Sequence, residues 1–171
     1  MSIVTKKGDK GKTSLFLGGV VAKDDPRVEL EGVLDELCSY LGLSKSLVKG
    51  AFVKKQLESL QKDLFIIGAE VATTARFLKK LTCRVSKADN ERLEKLIEEI
   101  EAKRRPQDRM FILPGKNLVS SVLDISRTIA RRAERRAVTL TKKHILSNPY
   151  ILIYLNRLSD LLYLMARASE K

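Results

Sequence analysis

Apolar residues Val53, Leu57, Leu60, Leu64, Ile67 and Val71 recur in alternating steps of four and three. That spacing lays one stripe along a helix and needs a second helix to cover it. The same period continues through most of the chain. Val33, Leu34, Leu37 and Leu41 follow Pro26, and Leu93, Leu96, Ile97 and Ile100 follow a Ser86-x-x-Asp89 capping box. Pro106 stands after the end of that helix, and Pro114-Gly115 before the next. Asn148-Pro149 supplies an N-cap and a first-turn proline for the last one. Strand signals are nearly absent: Ile3-Val4 and Leu15-Phe16-Leu17 are too short, among Gly and Lys, to build a sheet of any size. The expected fold is all-α, an antiparallel five-helix bundle with an irregular N-terminal nucleotide-binding loop. A chain of 171 residues fits a single domain, 1–171, divided into an N-terminal loop over 1–25 and the bundle over 26–171.

The helix from Tyr150 to Ala168 is apolar nearly all round and is expected at the centre of the bundle. Asn156, Arg157 and Asp160 interrupt it. Buried polar groups need partners, so these three are either networked to one another or present for a ligand. Before it lies Arg127-Thr128-Ile129-Ala130-Arg131-Arg132-Ala133-Glu134-Arg135. At about 100° per residue, Arg127, Arg131 and Glu134 share a sector of about 60°, bordered by Arg135. Leu118, Val122, Ile125, Ile129, Ala133 and Leu140 are expected on the buried side of this helix. Guanidinium forks suit the oxygens of a polyanion such as a nucleoside triphosphate. Taken alone, the segment reads first as a solvated basic face with an i,i+3 Arg–Glu pair, and other parts of the chain must move the balance.

A net charge of +12 points to an anionic partner without naming it: nucleic acid, acidic membrane and phosphorylated small molecules all fit. No apolar run is long enough to span a bilayer, and Met1 to Thr13 lacks the apolar core of a secretion signal. Cys38 and Cys83 make no zinc or disulfide framework, so a cytoplasmic location is expected. With His144 the single histidine, neither a histidine metal site nor a histidine-dependent triad is expected.

In Thr5-Lys6-Lys7-Gly8-Asp9-Lys10-Gly11-Lys12-Thr13-Ser14, glycines, hydroxyls and lysines together suit phosphate. Gly11-Lys12-Thr13 is not a P-loop, because the required first glycine is Lys6 and neither the preceding strand nor the following helix is evident. An irregular phosphate-cradling loop and a flexible basic tail both fit. Phe111-Ile112-Leu113-Pro114-Gly115 is an apolar segment outside any helix, suited either to stapling the loop or to walling a pocket for a large flat ligand.

The stretches TKKGDKGKTSLFLGG, KDDPRVELEGVLDELCSYLG, FILPG, RTIARRAERRAV and YLNRLSDLLY resemble, in that order, the PduO-type ATP:cob(I)alamin adenosyltransferases. The resemblance spans essentially the whole chain. It implies a homotrimer of five-helix bundles with active sites between subunits. The implied reaction moves the 5′-deoxyadenosyl group of ATP to the Co(I) of cob(I)alamin, with Mg²⁺, giving adenosylcobalamin and triphosphate. A reductase and a cobalamin-dependent acceptor enzyme are implied partners; nucleic acid and membrane are not.

By the same resemblance Thr5, Lys6, Lys7, Gly8, Thr13 and Ser14 enclose ATP and Lys23 touches the nucleotide. Arg131, Arg132, Ala133, Glu134 and Arg135 form the phosphate-binding segment, with Glu134 beside the metal-nucleotide. Asn156 contacts ATP. The catalytic assignments are Arg127 and Asp35, an ion pair bridging subunits near the corrin, and Phe111, which displaces the lower axial base. No protein metal-ligand set is implied. Three positions depart from the family pattern: Cys38 for Asn or Ser, Lys116 for the second Gly of FILPGG, and Asp124 for His. Asp124 lies one turn before Arg127 and is expected to compete for it. The rival readings are a basic bundle that binds nucleic acid, poorly served by 5% aromatic residues and no recognition module, and a regulatory bundle that binds ATP without turnover.

Overall fold

The computed structural model describes residues 4, 6, 8–104 and 112–170. Five α-helices carry the fold: α1 (Pro26–Leu47), α2 (Ala51–Val71), α3 (Lys87–Glu101), α4 (Leu118–Lys142) and α5 (Pro149–Ala168). The expected antiparallel five-helix bundle is the fold observed. Helix α4 lies against both α1 and α5, α2 packs on α1, and α3 packs on α5. None of these helices is long and apolar enough to cross a membrane.

Local chemistry sets the helix starts. The Asp25 carboxylate accepts from Arg27 N at 2.8 Å with Pro26 in the first turn, and Asn148 Oδ1 accepts from Tyr150 N at 3.0 Å ahead of α5. The Ser86–Asp89 capping box opens α3 as expected. A second box, Asn117 with Ser120, opens α4 through Ser120 N to Asn117 Oδ1 at 2.8 Å and Asn117 N to Ser120 Oγ at 3.2 Å.

The α2 stripe is buried from Leu57 to Val71, against Leu30, Leu34, Leu37 and Leu41 of α1. Two carboxylates share this helix's inner side and are each satisfied. Asp63 accepts from Tyr154 Oη at 2.6 Å and from Arg92; Glu70 accepts from Arg84 Nη2 at 2.6 Å and Asn148 Nδ2 at 3.1 Å. Such pairing lets the charges sit inside the bundle.

Two details differ from expectation. The N-terminal region is not wholly irregular: β1 (Lys12–Ser14) and β2 (Val20–Ala22) form an antiparallel hairpin, with Thr13 opposite Val21. The hairpin docks on the end of α2, where Leu17 N donates to Ala72 O at 3.3 Å and Thr74 N to Leu17 O at 3.0 Å. A Cβ at Gly18 would stand 2.8 Å from Leu15 Cδ1 and Thr74 Cγ2, so a larger residue in this dock would force those side chains to shift. A 3₁₀ turn, Ala75–Lys80, follows. The second difference is the buried arc of α4. Val122, Ile129, Ala133 and Leu140 are buried as expected, but Leu118 and Ile125 are exposed, 65% and 41%. Because α4 packs on two neighbours, its arc is wide and turned toward Leu123, Ser126, Ala130 and Ala137. Small side chains there let the flanking helices approach.

Candidate functional site

Helices α3, α4 and α5 enclose a cleft of about 530 Å³. Arg127 and Arg131 project into it from α4, Arg157, Asp160 and Tyr163 from α5, and Glu94, Glu98 and Glu101 from α3. The two α4 arginines are one turn apart, as 3.6 residues per turn requires of positions 127 and 131. The three polar residues that interrupt α5 prove to be networked, and two of them, Arg157 and Asp160, line this cleft. Arg157 Nη1 donates to Asn156 Oδ1 at 2.9 Å, Arg157 Nε donates to Glu94 Oε1 at 2.9 Å, and Asp160 Oδ2 lies 3.9 Å from Arg157 Nη1. Asn156 Nδ2 in turn donates to Glu134 Oε1 at 3.0 Å. Burial raises the Asp160 carboxyl above its ordinary range, opposed by the charges of Arg157 and Arg131.

The arginine run therefore divides by face. Arg131 belongs to the cleft and Arg135 is exposed. Arg132 pairs with Glu36, and Arg136 with Glu29 at 3.2 Å, so both tie α4 to α1. Ala133 is fully buried and seats the helix in the core, its methyl facing α4's neighbours rather than the cleft.

Arg127 also borders a shallower hollow of about 290 Å³ with Pro114, Gly115, Ser121, Asp124, Ile125 and Thr128. It thus stands between the cleft and the PG turn, where Leu113 is 77% exposed. Asp124 binds Arg127 Nε at 3.4 Å, the competition expected from the sequence. Asp35 lies elsewhere, in a hollow of about 450 Å³ whose walls include Phe16, Glu31, Leu34, Cys38 and Phe65. Asp35 and Arg127 line different hollows and are not paired. Cys38 is half-buried in that hollow, its thiol pushed up by burial, and Gln61 Nε2 stands 3.8 Å from Sγ.

At the N-terminus, Gly11-Lys12-Thr13 runs into strand β1 rather than a helix, in agreement with rejecting a P-loop. Thr13 is half-buried; Lys6, Ser14 and Lys23 are exposed. Lys23 and Gly8 are adjacent: a Cβ on Gly8 would sit 3.1 Å from Lys23 Nζ. Thr5, Lys7 and Phe111 lie outside the described residues. Among the described residues, no group of three or more His, Cys, Asp or Glu side chains is arranged to hold a metal ion. Sequence reasoning missed Tyr163 and the acidic α3 wall; the signal of that wall, Glu94, Glu98 and Glu101 in steps of four and three, is ordinary for a solvated helix face.

The chain matches the cobalamin adenosyltransferase family model over residues 3–169. It is 40% identical to a corrinoid adenosyltransferase of Citrobacter freundii, covering 98% of this chain and 94% of the relative. The Bacillus subtilis corrinoid adenosyltransferase is 41% identical over 98% of this chain and 86% of its own length. Among solved structures, a PduO-type ATP:corrinoid adenosyltransferase from Lactobacillus reuteri, a phenylalanine-to-histidine variant complexed with cobalamin and ATP, superposes with a TM-score of 0.90. That comparison is at 35% identity and covers 99% of this chain and 91% of the other. With a matched span of nearly its whole length and relatives at this identity, the chain belongs to the cobalamin adenosyltransferase family.

Proposed function

We propose that the protein transfers the 5′-deoxyadenosyl group of ATP to the Co(I) of cob(I)alamin, forming adenosylcobalamin and releasing triphosphate. The observation that carries this reading is the cleft in which Arg127 and Arg131 stand on one face of α4, beside the Glu134–Asn156 pair. Cobalt supplies both electrons of the new Co–C5′ bond and ends formally as Co(III). The C5′–O bond breaks with its pair going to triphosphate. No proton moves, so a chain without a catalytic histidine is adequate to the task.

What remains for the protein is alignment of C5′ with cobalt and stabilisation of the leaving charge. Arg131 and Arg135 hold the triphosphate by charge-assisted bonds, and Arg132 steadies α4 through Glu36. Thr5, Lys6, Lys7, Gly8, Thr13, Ser14 and Lys23 enclose the nucleotide from the N-terminal side of the chain. Asn156 leaves one carboxylate oxygen of Glu134 outside its own bond. A single carboxylate of this kind fits Mg²⁺, which binds through one or two carboxylates and substrate phosphates rather than an all-protein cage. Glu134 would hold Mg²⁺ together with the triphosphate, and the ion would supply neutralisation of the leaving-group charge.

Phe111 is assigned to the lower face of the corrin, excluding water and the axial base. The active unit is a homotrimer with composite sites: Asp35 of one copy meets Arg127 of the next. Support comes from the separation of these residues within a protomer and from the exposed Phe16 and Phe65 around Asp35. Cob(I)alamin must come from an electron donor that reduces Co(II), and the unpaired cysteines Cys38 and Cys83 suit a reducing cytoplasm. The test is direct. Cob(I)alamin and MgATP under a strong reductant should yield the spectrum of the alkylated corrinoid together with one triphosphate per turnover. Absence of both products overturns the reading.

A further inference from the structure

Asp124 and Arg167 are both 5% exposed and face one another across the α4–α5 seam. Arg167 Nη2 donates to Asp124 Oδ2. The other carboxylate oxygen, Oδ1, takes Nε of Arg127 at 3.4 Å. Arg167 is itself held in place: its Nη1 lies 3.1 Å from Glu170 Oε1 and its guanidinium lies over the Tyr163 ring, 5.4 Å from the centroid. Asn117 Nδ2 closes the same end of the seam by donating to Ser169 O at 2.8 Å. One buried carboxylate thus links the end of α5 to the arginine that stands between the cleft and the PG hollow.

A carboxylate offered a single guanidinium tends to take it as a two-pronged fork. At Asp124 the second prong is occupied by Arg167. Arg127 is consequently held through Nε alone, at a long distance, and its terminal Nη groups are left for the cleft side. We infer that Arg167 is a positioning residue for adenosyl transfer: by occupying Asp124 it stops that carboxylate from capturing Arg127. This rests on the proposed role of Arg127. A simple tie between α4 and α5 would use the same contacts, so the two roles must be separated by kinetics rather than by stability.

The full-length protein is assayed with cob(I)alamin and MgATP as wild type, Arg167→Met, Arg167→Lys, and Arg167→Met combined with Asp124→Asn. Wild-type turnover in the same assay checks the functional reading independently. Arg167→Met should lower kcat about tenfold or more while KM for ATP changes less than about twofold, because Asp124 then draws Arg127 out of place. The double variant removes both buried charges and the competitor for Arg127, and should regain most of the rate. Arg167→Lys keeps one donor on Oδ2 and should stay within about threefold of wild type. Wild-type kcat in Arg167→Met overturns the inference, as does an equal loss in the folded double variant. Should Arg167→Met fail to fold, the neutral double variant decides: near wild-type turnover supports positioning, and a tenfold loss with intact circular dichroism overturns it.

Discussion

Asn156 Nδ2 donates a hydrogen bond to Glu134 Oε1 at 3.0 Å, joining α5 to α4 beside the arginine cleft. The contact fixes the orientation of the Glu134 carboxylate. Asn156→Ala should weaken MgATP binding about tenfold, the scale of one hydrogen bond to a charged group. Asn156→Asp should lose more, because it sets two carboxylates face to face. Calorimetric titration with MgATP measures both. Unchanged affinity in both variants would reduce the contact to a helix tie.

Arg131 and Lys12 represent the two cationic regions that could hold phosphate. Arg131 lines the cleft, whereas Lys12 is exposed on β1 opposite Ala22. Arg131→Ala should cost at least about tenfold in ATP affinity or turnover, from charge-assisted bonds of about 1.5–3 kcal/mol. Lys12→Ala should change either by less than about threefold, as a screened surface charge. Equal losses would transfer the phosphate site to the hairpin.

Tyr154 is fully buried, and its hydroxyl donates to Asp63 at 2.6 Å. The low-dielectric surroundings and the adjacent Asp63 charge push the phenol well above its ordinary range, so it remains a donor. Tyr154→Phe should reduce stability by about 1.5–3 kcal/mol, with Arg92 still pairing Asp63. Denaturant melts should show a lower midpoint at an unchanged slope. Turnover at low temperature should match wild type, because Tyr154 does not line the cleft.

The helices were legible because each carried several independent signals. Pro26, Ser86-x-x-Asp89 and Asn148-Pro149 mark starts, the last two by hydrogen bonds that the structure forms, and the four-three stripe marks the buried side. The hairpin was not legible: three-residue strands have too little alternation to register, and their stability comes from docking Leu17 on the end of α2. The apolar pattern of α4 misplaced Leu118 and Ile125 because hydrophobicity ranks them above Ala130 and Ala137, whereas close packing between two helices selects the alanines. At the site, the residue types of α4 were readable, but their division among faces was not. Glu36 and Glu29, which take Arg132 and Arg136, are about a hundred residues away in sequence.

Glu31 gives a pH signature. Burial in the Asp35 hollow raises its carboxyl above 4.5, reinforced by Asp25 and opposed by Arg27. The folded state therefore favours the protonated form. Its contribution to stability is present below pH 4.5 and is lost as pH rises through the folded value. Glu31→Gln should raise the melting temperature at pH 7, and the gain should vanish as pH falls to about 4. A lower melting temperature for Glu31→Gln at pH 7 would mean that the carboxylate is paired with a cation from a second copy.

Phe16 and Phe65 are 66% and 71% exposed and line the same hollow as Asp35, which leaves large aromatic surface in water. A second copy covering this hollow would bury both rings and bring its own Arg127 toward Asp35. Phe65→Glu should then convert the assembly to monomers in light scattering, with helical circular dichroism retained and adenosyl transfer lost. Phe65→Leu keeps an apolar side chain and should preserve both assembly and turnover. Asp35→Asn should weaken the assembly less than Phe65→Glu does, because apolar burial supplies most of an oligomer interface and one ion pair supplies little. Full activity in monomeric Phe65→Glu would place the complete site within one protomer and remove Asp35 from it.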